Sequence, residues 1–205
     1  MNSDTHTKAA KAISYLFNPS LMPAIGVLLI FNSGTYLSYL PQAGKNLILS
    51  VVFTGTFIIP LCFVPLYLYL KVIKNVEIEE RTQRTIPYII TFIAYCCTFY
   101  LLRRIPVAMV NLFFLSTCVV LFVNILLLIK WKISSHMIAM GGIVGLIIGL
   151  IFRINADMLF YLALSVIISG IVATSRLILD AHQPREIYFG FLLGVGLVSV
   201  FVIFL

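Results

Sequence analysis

The sequence predicts an all-α fold, a polytopic transmembrane helix bundle with six to seven spans. Hydrophobic residues make up 61% of the 205 positions and charged residues only 10%, whereas about a quarter of the residues in a soluble domain are charged. The mean hydropathy is +1.10. Because lipid offers no water to backbone amides and carbonyls, spans this apolar are expected to be helical. The length predicts a single integral-membrane domain over residues 1–205.

Seven apolar stretches approach the roughly 17 to 25 residues needed to cross a bilayer. They cover approximately 19–39, 46–70, 87–102, 107–129, 137–152, 158–174 and 187–205. The polar stretch before them is not expected to be a cleavable signal, since no small-residue cleavage site follows a short apolar core. Pro23, Gly26 and the break at Asn32–Gly34 predict that the first span is kinked or lies partly at the interface.

Glycines recur every four residues in two of these spans, at Gly141, Gly145 and Gly149 and again at Gly190 and Gly194. This spacing lets helices approach closely in lipid, so we expect the glycines to serve packing. The four cysteines lie in apolar runs and have neither disulfide-framework nor zinc spacing.

Alternation of the spans places segments 71–86, 130–136 and 175–186 on one face of the membrane. Most residues capable of chemistry occur in these three segments, whereas the opposite loops carry charges typical of interface anchors. Because pairs of spans separate the three segments, we expect them to converge on one site. A transporter would more naturally hold its ionisable groups within broken spans.

The third segment carries Ser175, Arg176, His182 and Glu186 within one dozen residues. His182 and Glu186 are four residues apart, so on a helix the carboxylate would lie beside the imidazole and fix its tautomer. A polar cluster between lipid-facing runs must be satisfied by protein, water or an anionic ligand. The alternative interpretation is an ordinary solvated loop.

The first two segments add further anion-binding groups. Arg81 and Arg84 lie one helical turn apart and can point at one anion; alternatively, they form a cationic interface collar neutralised by nearby glutamates. Ser134, Ser135 and His136 begin a predicted helix, whose N-terminus can cradle an anion.

Together these residues match the needs of phosphoryl transfer through a covalent intermediate. A neutral histidine oriented by a carboxylate can attack phosphorus, and a second histidine can protonate the leaving oxygen. Cationic and hydroxyl groups would stabilise the equatorial oxygens. A metal-dependent hydrolase using His182 and Glu186 as ligands stays open, with His136 or the acidic cluster near Glu77 as a third ligand.

The three segments resemble the motifs of the type 2 phosphatidic acid phosphatases, a superfamily of membrane lipid phosphatases. Ser175-Arg176, His182 and Glu186 fit the spacing of Ser-Arg-x5-His-x3-Asp, with Glu in place of Asp. Ser134-Ser135-His136 is similar to Pro-Ser-Gly-His. Lys74 and Arg81 fit the spacing of Lys-x6-Arg-Pro, with Thr82 in place of Pro. The resemblance covers residues 71–205.

The resemblance implies a role for each matching residue. His182 would be the nucleophile that forms a phosphohistidine, Glu186 would orient it, and His136 would be the general acid. The phosphoryl group would be bound by Arg81, Ser134, Ser135 and Arg176. Arg84 and Lys132 are further candidates from the residues themselves, and either Lys74/Arg81 or Arg84 could fill the first-motif role.

The expected activity is metal-free hydrolysis of a lipid phosphate or prenyl diphosphate, with no cofactor. The alternative is a non-catalytic or transporter-like protein that binds anionic lipid headgroups. With a net charge of +7 distributed along membrane edges, anionic lipids rather than nucleic acid are the expected partners. The positive-inside rule favours a cytoplasmic site unless the phosphate-binding cations are left out of the count. The resemblance favours an extracytoplasmic site in a bacterial inner (cell) membrane.

Overall fold

The computed structural model describes residues 3–74 and 81–205, which form nine α-helices and no strand. The helices are α1 (Ser3–Leu16), α2 (Met22–Phe31), α3 (Gln42–Phe53), α4 (Ile59–Tyr69), α5 (Thr85–Leu102), α6 (Ala108–Leu128), α7 (Ser135–Ile154), α8 (Leu159–Ile178) and α9 (Pro184–Phe204). Seven segments of the described chain are long and apolar enough to cross a membrane. The predicted all-α membrane bundle is therefore confirmed, and the protein is an integral membrane protein.

The first candidate span differs from the predicted stretch 19–39. It covers Thr5–Phe31 and joins α1 to α2 through a short 3-10 turn at Pro19–Leu21. The side chain of Asn18 accepts a hydrogen bond from the backbone N–H of Ser20 and caps this turn. Pro23 lies in the first turn of α2, where its missing N–H costs nothing. The polar N-terminal stretch, which sequence reasoning set aside, therefore forms a helix that packs against α8.

Helices α3 and α4 form one continuous segment, Gln42–Tyr69, interrupted by a π-helical turn at Thr54–Ile58. Pro60 is the second residue of α4, which begins directly after this turn. Because proline has no N–H and its ring crowds the carbonyl four residues earlier, the helix widens there rather than continuing in α geometry. Gly55 in the wide turn lies against the side chain of Thr98 on α5.

The ends of the remaining spans differ from the predicted stretches by at most about five residues. The most consequential shift concerns Ser175 and Arg176, which lie in the last turn of α8 rather than in a loop. Glu186 lies in the first turn of α9. Many large apolar side chains face outward, including Phe152, Phe160 and Leu192, as lipid contact requires.

Helices α7 and α9 pack along most of their length through the predicted glycines. A Cβ atom at Gly141 would overlap the carbonyl oxygen of Phe191, and one at Gly194 would overlap that of Ile138. Gly145 and Gly149 likewise lie against Val195 and Val202. The packing role predicted for these glycines is confirmed.

Substitution of one interface glycine should destabilise the protein strongly. We expect Gly194→Ala to lower the free energy of unfolding by about 2 kcal/mol or more, since the added methyl group must displace backbone on α7. Gly196→Ala is the matched control, because it lies on the same helix with no atom near its Cβ position. Thermal unfolding in detergent measures the stability of both variants. Equal melting temperatures for the two variants would contradict the packing described here.

Candidate functional site

A cavity of about 300 Å³ lies among the helix ends on the side where the three predicted segments meet. Its polar end carries Arg84, His136, Arg176 and His182, together with the hydroxyl side chains of Tyr88 and Ser135. Its other end lies deeper in the bundle and is bounded mainly by apolar side chains from α2, α6, α7 and α9, among them Phe113, Val120, Ile138, Ile143 and Val198. The cavity therefore has a cationic end and, deeper in the bundle, an apolar end, which we call the apolar shaft.

His182 and Glu186 form a buried pair at the polar end. His182 Nδ1 lies 2.8 Å from Glu186 Oε2, and the two residues are 7% and 9% exposed. The backbone N–H of Gln183 donates to the same carboxylate oxygen at 3.2 Å, as part of a capping box at the start of α9. His182 itself precedes the helix, so the cap rather than helical spacing holds the carboxylate beside the imidazole.

Burial lowers the pKa of His182 to about 3, and the positive charges of Arg84, Arg176 and Lys132 act in the same direction. A hydrogen bond with the backbone of Lys132 opposes the shift. The imidazole is therefore neutral at pH 7. Because a carboxylate can only accept, Nδ1 carries the proton and Nε2 keeps its lone pair.

Arg84, not Arg81, lies in the cavity wall. Arg84 is 7% exposed and immediately precedes α5, whereas Arg81 is exposed and does not line the cavity. Lys74 is also exposed, and its backbone N–H donates to the side chain of Gln83. Between the two candidates for the first-motif role, the geometry favours Arg84. Glu77, in the acidic cluster considered as a source of a metal ligand, lies outside the described residues.

His136 meets a partner that sequence reasoning did not consider. Its Nε2 donates to the backbone carbonyl oxygen of Ser14 on α1 at 3.2 Å. Arg176 Nη1 donates to the hydroxyl of the same serine, also at 3.2 Å. Ser14 is buried and holds both a candidate acid and a candidate phosphate ligand. The signal that could have found Ser14 is its place within the otherwise apolar stretch Ala12–Phe17, where a buried hydroxyl would need a partner.

The two serines of the second segment have different positions. Ser135 lines the cavity, and its hydroxyl hydrogen-bonds the hydroxyl of Tyr88. Ser134 is fully buried outside the cavity wall, where its backbone N–H donates to the carbonyl of Glu186 at 3.4 Å. Its hydroxyl has no hydrogen-bond partner among the described residues. Lys132 is half-buried and lies outside the wall.

Within residues 3–74 and 81–205, no group of three His, Cys, Asp or Glu side chains could hold a metal ion. His182 and Glu186 face each other through a hydrogen bond rather than flanking a common point.

No protein-family model matches the chain, and no curated protein or solved structure matches it either.

The depressed pKa of His182 predicts a loss of stability in mild acid. Between its ordinary pKa of 6.5 and about 3, the unfolded chain binds a proton that the folded chain does not, so stability falls as the pH falls through this range. From pH 7 to pH 5 the cost is about 2 kcal/mol. Thermal unfolding in detergent should show this slope in wild type and a shallower one in His182→Asn, which lacks this imidazole. His6→Asn, altered at an exposed histidine on α1, is the control and should keep it.

Proposed function

We propose that the protein is a membrane lipid phosphatase that hydrolyses a lipid phosphate or prenyl diphosphate through a phosphohistidine, without a metal ion. One observation carries the proposal: a neutral, carboxylate-held histidine opens onto a cavity with two arginines at one end and an apolar shaft at the other. A lipid phosphate has the same two parts, an anionic head and an apolar tail.

The cationic end matches a phosphate group. Arg84 immediately precedes α5 and Arg176 lies in the last turn of α8, and both line the same part of the cavity as the two histidines. A guanidinium group presents donors in a planar fork that fits phosphate oxygens. The charge of Lys132 acts on the same place. These groups would hold the phosphate and stabilise the charge that develops on its equatorial oxygens.

In the first step, Nε2 of His182 attacks phosphorus and the bond from phosphorus to the lipid oxygen breaks. His136, protonated in the complex with the phosphate, gives its proton to that oxygen, and the lipid leaves as an alcohol, or as a monophosphate when the substrate is a diphosphate. His182 becomes a phosphorylated imidazolium, whose positive charge the Glu186 carboxylate stabilises.

In the second step, a water molecule attacks phosphorus and gives its proton to His136, which is now neutral. The phosphorus–nitrogen bond breaks, inorganic phosphate leaves, and His182 returns to its neutral form. Ser14 keeps the His136 ring in place through its carbonyl oxygen, so the same nitrogen can give and take the proton.

The apolar shaft of the cavity would hold the hydrocarbon tail of the substrate. A second groove of about 130 Å³, lined by apolar residues of α2, α7 and α8, shares Met22 and Ile143 with the cavity. The tail of a lipid could therefore extend from the cavity along α2 and α7. The resemblance to the type 2 phosphatidic acid phosphatases favours a site on the extracytoplasmic side of a bacterial inner membrane. The Lys/Arg counts of the two faces do not oppose this side, because they are nearly equal once the phosphate-binding cations are left out.

Purified protein in mixed micelles should release phosphate from phosphatidate or farnesyl diphosphate in the presence of a chelator. Vanadate should inhibit the release, since it mimics pentacoordinate phosphorus. His182→Ala should reduce the release to background because it removes the nucleophile. Malachite-green detection of free phosphate measures all three arms.

His6→Ala, altered far from the cavity, is the matched control and should retain wild-type release. Loss of activity in chelator would favour a metal-dependent hydrolase, and no release from any lipid phosphate would overturn the enzymatic proposal.

Arg84 and Arg81 provide an internal comparison. We expect Arg84→Ala to lower kcat/KM about a hundredfold, because a buried donor to the transferring phosphoryl group is lost. Arg81→Ala removes an exposed cation outside the cavity and should change kcat/KM less than about threefold. The reverse order would show that Arg81 fills the first-motif role.

A further inference from the structure

The proposed chemistry does not use every polar side chain in the cavity wall. Asn124 lies on α6, is 4% exposed and lines the cavity. Its amide makes no hydrogen bond with the residues that the structure describes, which sets it apart from its neighbours. Thr91 and Thr117, which line the same cavity, donate to the carbonyl oxygens of Pro87 and Phe114.

An unpaired amide inside an apolar bundle is costly. Burying such a group without a hydrogen bond costs roughly 1–3 kcal/mol in proteins. Leucine, close to asparagine in size, would fill the same position on an apolar helix without that cost. Because Asn124 lines the cavity, its amide has water or a bound ligand as its hydrogen-bond partner there.

The depth of Asn124 in the cavity identifies the part of a ligand it would meet. Helices α5 and α6 run antiparallel, and Phe92 packs against Phe122 with ring centroids 5.7 Å apart. This contact and that of Tyr95 with Phe114 place Asn124 level with residues 85–90 of α5, within two turns of Arg84. One turn of helix is about 5.4 Å, a distance that a few covalent bonds can cover.

The wall at this level is polar on more than one side. Tyr88 and Ser135 join their hydroxyl groups across the cavity here, whereas Val120, Leu121 and Phe113 continue the wall below Asn124 on the same face of α6. A ligand bound with its phosphate at Arg84 and Arg176 would thus meet hydrogen-bonding groups first and apolar groups after.

We propose that Asn124 is a substrate-recognition residue whose amide hydrogen-bonds a carbonyl or hydroxyl group carried by the lipid a few bonds from its phosphate. This inference rests on the proposed phosphatase function and narrows its substrate. Acylated or hydroxylated polyol phosphates carry such a group, whereas prenyl phosphates have only hydrocarbon beyond the phosphate. The site would therefore favour the first class over the second.

The test compares three substrates in mixed micelles: dioleoyl phosphatidate, a 1-alkyl glycerol phosphate with a free hydroxyl and no carbonyl, and farnesyl phosphate. In Asn124→Leu we expect kcat/KM for the substrate that supplies the partner to fall about tenfold. The value for farnesyl phosphate should change less than about twofold. The first two substrates distinguish a carbonyl partner from a hydroxyl partner.

Thr117→Val is the matched control, since Thr117 lines the same face of α6 but donates to backbone. Thr117→Val should change kcat/KM by the same factor for all three substrates. Inhibition by vanadate should be the same in Asn124→Leu as in wild type, because the phosphate-binding end is intact. Asn124→Ala provides a second variant, and both Asn124 variants should melt no lower than wild type.

Three outcomes would overturn the inference. Equal changes in kcat/KM for all three substrates in Asn124→Leu would show that Asn124 contacts none of them selectively. A lower melting temperature in both Asn124 variants would show that the amide already has a partner within the folded protein. Absence of phosphate release by the wild type from every substrate would overturn the proposed function as well, whereas release with unchanged selectivity would overturn this inference alone.

Discussion

The close packing of α7 on α9 is the constraint from which the rest of the site follows. Glycines at the contact let the two backbones approach until a Cβ atom would overlap a carbonyl oxygen. At the polar end this approach continues beyond the start of α7, where Gly190 of α9 lies against the carbonyl of Ser134 and the backbone N–H of Ser134 donates to the carbonyl of Glu186. Two segments that are some fifty residues apart are thus held at backbone distance, and His136 and His182 face one cavity as a result.

Basic groups held close together inside an apolar bundle favour the neutral form of a nearby histidine. Arg84, Arg176 and Lys132 lower the pKa of His182 together with burial, so the imidazole is kept neutral in a surrounding that favours anions. A single neutral histidine beside a carboxylate is the arrangement that a nucleophile needs. The same charges that disfavour a proton on His182 also favour phosphate in front of it. In the proposed reaction, one set of residues would therefore both keep His182 unprotonated and attract the anionic substrate.

The bundle and the helix–helix contacts could be predicted because they depend on local signals. Span length follows from bilayer thickness, and the spacing of Gly141, Gly145 and Gly149 reports their packing face. The choice between Arg81 and Arg84 could not be made in this way, since both fit a helical turn and only tertiary burial separates them. Ser14 was missed because its partners lie far along the chain, and Asn124 because a single polar residue does not interrupt an apolar run. Ser134 was expected to bind phosphate, whereas the structure buries it beneath α9.

The contacts of Ser14 also bear on how the protein is assembled. Its hydrogen bonds with His136 and Arg176 join residues that are 122 and 162 positions apart. Contacts of such high sequence separation form late, because most of the chain must be ordered before they can close. Because α1 precedes α7 and α8 in the chain, it is synthesised before the helices that carry the partners of Ser14. The polar groups of the cavity consequently stay apart while the early helices insert, and the site comes into being only as the last helices join the bundle.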